Sequence, residues 1–207
     1  MNRSQTIVIV DYEMGNIRSI VNKVHRAGYE PIVTNDENII YTAEKLILPG
    51  VGNFLNGMAK LKGKNLINLL NKKVLEDRIP ILGICLGMQL FTNFSEEGNV
   101  EGLGWIDAET VLFHLEDIRH KVPHMGWNSL SVKKESPLIN DLPDDSQFYF
   151  VHSYHIRCNC KDDILSTTEY GYEFVSAIQK SNIFGTQFHP EKSHGAGELI
   201  LSNFLKM

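Results

Sequence analysis

The chain contains 207 residues, of which 43% are hydrophobic and 22% are charged, and this length suits one large domain over residues 1–207. Twenty Lys and Arg residues against 25 Asp and Glu residues give a net charge of −5, and the basic residues are scattered. This distribution argues against nucleic acid as the main partner. The most continuous apolar stretch, residues 79–91, is interrupted by proline, glycine and glutamine and is shorter than the roughly 18 apolar residues of a membrane span.

The start of the chain and its cysteine content both predict a cytoplasmic protein. The polar residues 1–5 precede a short apolar run at residues 7–10, which is smaller than the ~7–15-residue core of a secretory signal. The three cysteines, Cys85, Cys158 and Cys160, cannot form a complete set of disulfides. Free thiols are typical of a reducing compartment.

In the first half of the chain, strand and helix patterns alternate. The apolar run at residues 7–10 predicts a buried strand, and apolar residues at helical spacing over 17–24 predict a helix that ends before Gly28. Further strands are predicted over residues 31–34, 46–48 and 79–84, and a second helix over residues 66–74. Strands that alternate with helices form parallel pairs, so the predicted class is α/β with a mostly parallel central sheet flanked by helices.

From about residue 104 the pattern changes to runs of β-branched and aromatic residues. Three such runs cover residues 149–156, 174–179 and 183–188, and Ser181 with Asn182 predicts a turn between the last two. We therefore expect antiparallel strands to be added in the C-terminal half. A final helix is predicted over residues 196–205.

The most informative motif is a cysteine between two glycines, Gly83-Ile84-Cys85-Leu86-Gly87, at the end of a predicted strand. This spacing is typical of a nucleophile elbow, in which a tight strand-to-helix turn exposes the nucleophile above the sheet. A thiol at the start of a helix is also stabilised as thiolate by the unpaired backbone N–H groups. The structural alternative is a small buried cysteine between packing glycines.

A thiolate nucleophile needs a base, and the base needs a group that orients it. His189 ends the apolar run at residues 183–188 and is followed by Pro190 and Glu191. This short rigid turn can hold a carboxylate against the imidazole and fix its tautomer. Cys85, His189 and Glu191 therefore form a candidate catalytic triad, although a His-x-Glu sequence alone is more often a surface turn.

Acyl transfer to a thiol also develops negative charge on the former carbonyl oxygen. The glycine-rich turn at residues 49–53 follows a predicted strand and can present a backbone N–H to that oxygen. The N–H of Leu86, directly after the nucleophile, supplies the second donor in elbow hydrolases. An ordinary strand-to-helix turn is the alternative reading of residues 49–53.

These motifs resemble the class I, triad-type glutamine amidotransferases, and closely the glutaminase subunits of imidazole glycerol phosphate synthases. The elbow and His-Pro-Glu are typical of the superfamily. Met-Gly-Trp-Asn at residues 125–128 and Phe-Val-His-Ser-Tyr at residues 150–154 narrow the resemblance to this subunit type. The resemblance runs nearly end to end, through Asp11-Tyr12, Gly15-Asn16, Pro49-Gly50-Val51-Gly52, Pro123-His124-Met125-Gly126-Trp127-Asn128, Tyr149-Phe150-Val151-His152-Ser153-Tyr154 and Gln187-Phe188-His189-Pro190-Glu191-Lys192-Ser193.

The resemblance implies hydrolysis of L-glutamine through a thioester on Cys85, with His189 as base and acid and Glu191 as its orienting group. Ammonia would pass to a separate (β/α)8-barrel synthase subunit in a heterodimer, and no metal or organic cofactor is implied. The residues implied to bind substrate or oxyanion are Val51, Gly52, Leu86, Gln89, Ser153 and Tyr154. Those implied to face the synthase are Asn16, Trp127, Tyr149 and Lys192.

Three alternatives remain open at this stage. His194 follows Ser193 where the histidine-pathway subunits usually have glycine, and the segments 104–109 and 154–158 resemble a paralogous branch that supplies ammonia for amidating a nucleotide-linked sugar in surface-polysaccharide synthesis. A stand-alone cysteine γ-glutamyl hydrolase would use the same triad. A metal module could be built from His152, His155, Cys158 and Cys160, but in one strand rising ~3.3 Å per residue the first and third of these would lie about 20 Å apart.

Overall fold

The computed structural model describes residues 5–116 and 120–207. Expectations about the start of the chain at residues 1–4 lie outside these described residues. The predicted α/β class with a mixed sheet is confirmed: twelve of the described strands form one sheet, with a central order β2-β1-β3-β4-β14 that is parallel throughout. These five strands are β1 (Ile7–Val10), β2 (Pro31–Thr34), β3 (Lys45–Leu48), β4 (Ile81–Ile84) and β14 (Ile183–Thr186).

The helices flank the parallel strands. They are α1 (Ile17–Arg26), α2 (Glu37–Tyr41), α3 (Phe54–Gly63), α4 (Leu66–Asn71), α5 (Leu86–Gln89) and α6 (His194–Lys206), and a π-helical turn at Lys72–Glu76 extends α4. Short 3₁₀ turns occupy Pro137–Ile139, Lys161–Asp163 and Pro190–Lys192. Helices α2 and α3 were not predicted. In α3, Gly57 and Gly63 obscure the apolar spacing. Side-chain caps at Asp36 and Asn53 start the two helices.

The second half of the chain supplies the antiparallel strands, as predicted. They extend the sheet beyond β14 in the order β13-β11-β7, and β5 pairs in parallel with β7. A separate two-stranded antiparallel sheet is formed by β8 and β10. The bounds are β5 (Phe94–Ser95), β6 (Val100–Glu101), β7 (Ala108–Leu112), β8 (His124–Ser129), β9 (Ser131–Val132), β10 (Gln147–His152), β11 (Tyr154–Cys158), β12 (Ile164–Tyr170) and β13 (Tyr172–Lys180).

The apolar run at residues 149–156 is not one strand. It divides at Ser153, where β10 ends in the small sheet and β11 begins in the large one. The division cannot be seen in the residue pattern, because both strands are rich in aromatic and β-branched residues. It brings Ser153 and Tyr154 to a bend between the two sheets rather than to the middle of a ladder.

Two apolar cores cover the two faces of the parallel strands. Alternate residues of β1 face opposite sides: Val8 and Val10 belong to one core, whereas Ile7 and Ile9 belong to the other. Helices on both faces account for the continuous apolar runs in these strands, since neither face meets water. Within the described part of the chain, no helix is both long and apolar enough to cross a membrane.

The order of the central strands positions the site. Strand β14 lies beside β4 in parallel, with Thr186 opposite Ile84. The residues that follow each strand therefore emerge at the same edge of the sheet. Cys85 follows β4 and His189 follows β14, so two segments about 100 residues apart in sequence meet at the carboxyl ends of the strands, where ligands bind in open α/β sheets.

Candidate active site

Cys85 occupies the predicted elbow. It lies between β4 and α5 with φ 53° and ψ −109°, a conformation that a non-glycine residue adopts rarely. Its backbone N–H donates to the Thr186 carbonyl at 2.7 Å, which fixes the turn to β14. A Cβ atom at Gly87 would lie 1.9 Å from the Leu48 carbonyl oxygen, so only glycine permits this approach. The tight strand-to-helix turn predicted from the two glycines is thus confirmed.

The helix that follows the elbow is too short to stabilise a thiolate strongly through its N-terminus. Helix α5 has four residues, Leu86–Gln89, so few peptide dipoles are aligned behind the thiol. The expected stabilisation is correspondingly weak. A side chain supplies a contact instead, since Gln187 Nε2 lies 3.5 Å from Cys85 Sγ.

His189 and Glu191 form the predicted pair. The imidazole Nδ1 lies 2.9 Å from Glu191 Oε1, and both side chains are only 1% exposed. Backbone bonds hold the turn: the His189 N–H donates to the Tyr149 carbonyl at 2.9 Å, and the Ser193 hydroxyl donates to the His189 carbonyl at 2.6 Å. His189 is therefore held by hydrogen bonds at both its backbone and its imidazole ring.

The ionisation of His189 follows from its neighbours. Burial lowers the pKa of the imidazole, but the negative charges of Cys85 and Glu191 outweigh burial and raise that pKa to about 9. Nδ1 faces Glu191, whereas Nε2 has no hydrogen-bond partner among the described residues. The second ring nitrogen is thus available for proton transfer beside the Cys85 sulfur.

A cavity of about 530 Å³ opens above the thiol. Its walls include most of the residues that the motifs single out: Asn16, Val51, Gly52, Cys85, Leu86, Gln89, Ser153, Tyr154, His189 and Lys192. Glu191 lies behind His189, and Trp127 and Tyr149 lie outside the cavity. A larger cavity of about 750 Å³, between α3, α4 and β6, contains none of the candidate catalytic residues.

Two polar residues of the cavity were not assigned to the site from the sequence: Glu97 was not considered, and His152 was considered only as a metal ligand. The carboxylate of Glu97 accepts a hydrogen bond from the Phe54 N–H at 2.7 Å and so caps α3. No residue spacing indicates this contact, because Glu97 belongs to a loop 43 positions away from Phe54. His152 stands within the Phe-Val-His-Ser-Tyr motif, and that motif was the available signal.

The glycine-rich turn at residues 49–53 packs against the elbow. A Cβ atom at Gly50 would lie 2.5 Å from the Gly87 nitrogen, and Gly52 has φ +106°. The Tyr12 hydroxyl donates to the Pro49 carbonyl at 2.6 Å at one end of the turn. At the other end the Asn53 side chain accepts from the Asn56 N–H and begins α3. The turn is therefore anchored at both ends.

The residues predicted to face a partner lie together next to the cavity. Trp127 is 43% exposed, and its ring centroid lies 5.9 Å from that of Tyr149. Lys192 Nζ lies 5.6 Å from the Tyr149 ring centroid, and Lys192 and Asn16 also line the cavity. His194 stacks on Trp127 at 4.8 Å with an interplanar angle of 7°. The departure from glycine at position 194 is thus on this surface and outside the catalytic cavity.

The residues of the metal-module alternative are engaged elsewhere. His152 Nε2 lies 3.0 Å from His124 Nδ1, and His155 Nε2 lies 2.8 Å from the Tyr172 hydroxyl. Burial, assisted by the nearby Asp163, raises the pKa of Cys158 to about 12, which disfavours the thiolate that a metal requires. Over residues 5–116 and 120–207, no cluster of three or more His, Cys, Asp and Glu side chains is arranged to hold a metal ion.

Comparison with known proteins adds relatives over nearly the whole chain. The model of a family described as glutamine amidotransferase class-I matches residues 8–207. The chain is 53% identical over 200 residues to the imidazole glycerol phosphate synthase subunit HisH 2 of Methanococcus maripaludis, covering 97% of this chain and 98% of that protein. It is 45% identical over 201 residues to the subunit of the same name from Pseudomonas aeruginosa, covering 97% and 99%.

Solved structures share the fold at lower identity. A protein from Thermoplasma acidophilum, described as a putative GMP synthase subunit, aligns with a TM-score of 0.73 at 21% identity, covering 100% of this chain and 94% of that one. PurLQS from Thermotoga maritima aligns with a TM-score of 0.70 at 19% identity, covering 99% of each chain. At these identities the likeness concerns the fold alone.

Proposed function

Because the chain belongs to the class I glutamine amidotransferase family, we propose that it is the glutaminase subunit of an imidazole glycerol phosphate synthase in histidine biosynthesis. It hydrolyses L-glutamine to glutamate and ammonia, and the ammonia is used by a synthase subunit. The observation that carries the proposal is the meeting of Cys85 and His189 in one cavity, with Glu191 bonded to His189 behind it. Identity of 53% over 97% of the chain to a subunit of that name supports the pathway.

The reaction begins with attack of the Cys85 sulfur on the side-chain amide carbon of glutamine. The carbonyl π electrons move to oxygen, and the backbone N–H groups of Leu86 and the turn at residues 49–53 stabilise this oxyanion. Collapse of the tetrahedral intermediate breaks the C–N bond. His189 gives the proton from Nε2 to the departing nitrogen, which leaves as ammonia, and a γ-glutamyl thioester remains on Cys85.

Water then completes the turnover. His189, now neutral, takes a proton from water as the hydroxide oxygen attacks the thioester carbon. The second tetrahedral intermediate expels the Cys85 thiolate and releases glutamate, so the enzyme returns to a thiolate beside a protonated ring. Glu191 holds the ring through Nδ1 and stabilises its positive charge in both steps.

The cavity walls suit the charged end of glutamine. Gln89 donates from Nε2 to the Tyr154 carbonyl at 2.9 Å, which leaves its amide oxygen as an acceptor for the α-ammonium group. Glu97 contributes the opposite charge to that ammonium at the cavity wall. The backbone at Ser153 and Tyr154 binds the α-carboxylate end, and Val51 and Gly52 border the substrate.

The partner is a (β/α)8-barrel synthase subunit in a heterodimer, and it binds the surface that carries Asn16, Trp127, Tyr149 and Lys192. This surface adjoins the cavity, which shortens the path that ammonia takes. Residues 1–207 act as a single glutaminase domain, since the family match extends from residue 8 to the last residue. The free cysteines Cys85, Cys158 and Cys160 support a location in the reducing cytoplasm.

The test compares wild type with Cys85→Ala in the complex with the synthase. The variant should lose glutamine-dependent synthesis and glutamate release while ammonia-dependent synthesis continues, because only ammonia production needs the thiol. Cys160→Ala is the matched control, since Cys160 is exposed and distant in sequence from the elbow. Normal glutamate release by Cys85→Ala would exclude Cys85 as the nucleophile.

A second candidate is favoured by His194, which stands on the proposed partner surface where glycine is usual in the histidine-pathway subunits. That candidate is a glutaminase for amidation of a nucleotide-linked sugar. Supplying the complex with the imidazole-pathway nucleotide in one arm and a nucleotide sugar in another decides between the two synthases. Turnover of a γ-glutamyl substrate by the lone chain at full rate would instead indicate a stand-alone γ-glutamyl hydrolase.

A further inference from the structure

Gln187 is a fully buried glutamine that the proposed reaction does not use. It lies between the end of β14 and His189, and its side chain turns toward the nucleophile, with Nε2 3.5 Å from Cys85 Sγ. We propose that Gln187 is a further catalytic residue whose amide N–H stabilises the Cys85 thiolate. This inference rests on the proposed function, because it concerns the same nucleophile.

The direction of the Gln187 amide follows from one backbone carbonyl. The Tyr154 carbonyl oxygen can only accept, so the Gln89 atom 2.9 Å from it is the NH₂ group. The second hydrogen of that NH₂ group meets the Gln187 amide at 3.0 Å, which must therefore present its oxygen there. The remaining end of the Gln187 amide is its own NH₂ group, and this is the end that faces Cys85.

The Tyr154 carbonyl also accepts a second hydrogen bond, from His152, and this contact fixes the donors and acceptors of the two neighbouring histidines. His152 Nδ1 lies 2.8 Å from this oxygen and must carry a hydrogen, which leaves His152 Nε2 to accept from His124 Nδ1 at 3.0 Å. Burial lowers the pKa of His152 well below its ordinary value, and burial with the nearby His120 lowers the pKa of His124 to about 4. Both rings are thus neutral, and a donor faces an acceptor at every contact.

The Gln187 amide shifts the ionisation of Cys85 in one direction, toward the thiolate. An amide N–H is a good partner for a thiolate and a poor one for a thiol, so the contact favours the charged form. Gln187 is fully buried, so its N–H contact with the sulfur is shielded from bulk water. The four-residue α5 supplies little of this stabilisation, which increases the share that falls to Gln187.

The test measures thiolate content directly, through the rate at which iodoacetamide alkylates Cys85 in the full-length chain. Mass spectrometry separates this site from Cys158 and Cys160. We expect Gln187→Met, which keeps the side-chain volume and removes the amide, to lower the second-order rate about tenfold near neutral pH. The difference should vanish at strongly alkaline pH, where the thiol is ionised in every variant. Gln179→Met, in the neighbouring strand β13, is the matched control.

Kinetics in the synthase complex provide a second readout. The proposal predicts that Gln187→Met lowers kcat for glutamine about tenfold with little change in KM, because the thiolate reacts after substrate is bound. An unchanged alkylation rate together with a raised KM would overturn it and would show that Gln187 only holds Gln89. Full ammonia-dependent activity checks that the variant still assembles.

A variant of Gln89, the hydrogen-bond partner of Gln187, keeps the proposal testable if Gln187→Met does not fold. Gln89→Met removes the N–H that fixes the direction of the Gln187 amide, so alkylation of Cys85 should also slow, although iodoacetamide does not need the glutamine-binding groups. An unaltered alkylation rate in Gln89→Met would count against the ordered chain of contacts. Because alkylation is measured without substrate, its outcome is independent of whether Cys85→Ala abolishes glutaminase activity.

Discussion

The imidazole of His189 and the carboxylate of Glu191, two positions apart in the chain, are joined by a 2.9 Å hydrogen bond that is almost completely shielded from solvent. The turn at Pro190 brings the two side chains together, and the hydrogen bond from the His189 N–H to the Tyr149 carbonyl of β10 holds the turn in place. The pKa of His189 is raised in part by Cys85, which follows a different strand, β4. The pair thus combines a locally encoded geometry with an ionisation that depends on the fold.

The pH profile follows from this environment. His189 must be protonated to give a proton to the departing ammonia, and its raised pKa keeps it protonated below about 9. We expect kcat/KM for glutamine to fall as the pH rises through about 9. In Glu191→Gln one of the charges that raise this pKa is lost, so the fall should occur at lower pH. An alkaline limb that does not move in Glu191→Gln would contradict this assignment.

The hydrogen bond from the Tyr12 hydroxyl to the Pro49 carbonyl should hold the turn at residues 49–53 in position. Tyr12→Phe leaves the Pro49 carbonyl without its 2.6 Å hydrogen bond inside the protein, at a cost of about 1–3 kcal/mol in the free energy of unfolding. Glutaminase kcat should fall, by up to about 10²-fold, because an oxyanion donor loses its position. Denaturant unfolding and glutamate release measure the two effects.

The matched control for Tyr12→Phe is Tyr29→Phe, at a half-buried tyrosine before β2. It should leave both stability and glutaminase rate near the wild-type values. Equal losses in the two variants would show that the effect of Tyr12 is general packing rather than support of the turn.

The isolated chain should be a poor glutaminase that its synthase activates. Gly50 and Gly52 offer little steric resistance to rotation of the peptides in the turn, so one peptide can present either its N–H or its carbonyl to the oxyanion. Bringing one donor into place is worth ~10²–10³ in rate. Glutamate release should therefore rise by about this factor from the lone chain to the complex with its acceptor nucleotide. Full-rate turnover by the lone chain would exclude this coupling.

The stacked pair Trp127 and His194 should dominate the affinity for the synthase. Trp127→Ala should raise the Kd of the complex about tenfold or more, because exposed aromatic anchors are typical hot spots. His194→Gly should weaken binding by a smaller factor, since it removes the stack and leaves the indole in place. Tyr41→Ala, an exposed aromatic on α2, is the control. Calorimetric titration measures each Kd, and an unaltered value for Trp127→Ala would place the interface elsewhere.

The features that could be predicted from the sequence are those that depend on residues close together in the chain. The strand at residues 7–10, the elbow around Cys85 and the His189-Pro190-Glu191 turn are each specified within a few residues, by apolar runs and by residues with restricted backbone angles. Their chemistry could therefore be inferred before their positions were known. The turn also indicated which of the eight histidines serves the thiol, because only His189 ends an apolar run and is followed by proline and glutamate.

The side chains that meet across the sheet could not be predicted, because their contacts depend on the order of the strands. Gln187 reaches Cys85, 102 positions away, because β14 lies beside β4, and no spacing in the sequence encodes that order. The division at Ser153 and the cap from Glu97 to Phe54 are of the same kind. A local pattern fixes backbone conformation, whereas a long-range contact depends on how the whole chain buries its apolar faces, and that choice is made only when all the elements pack together.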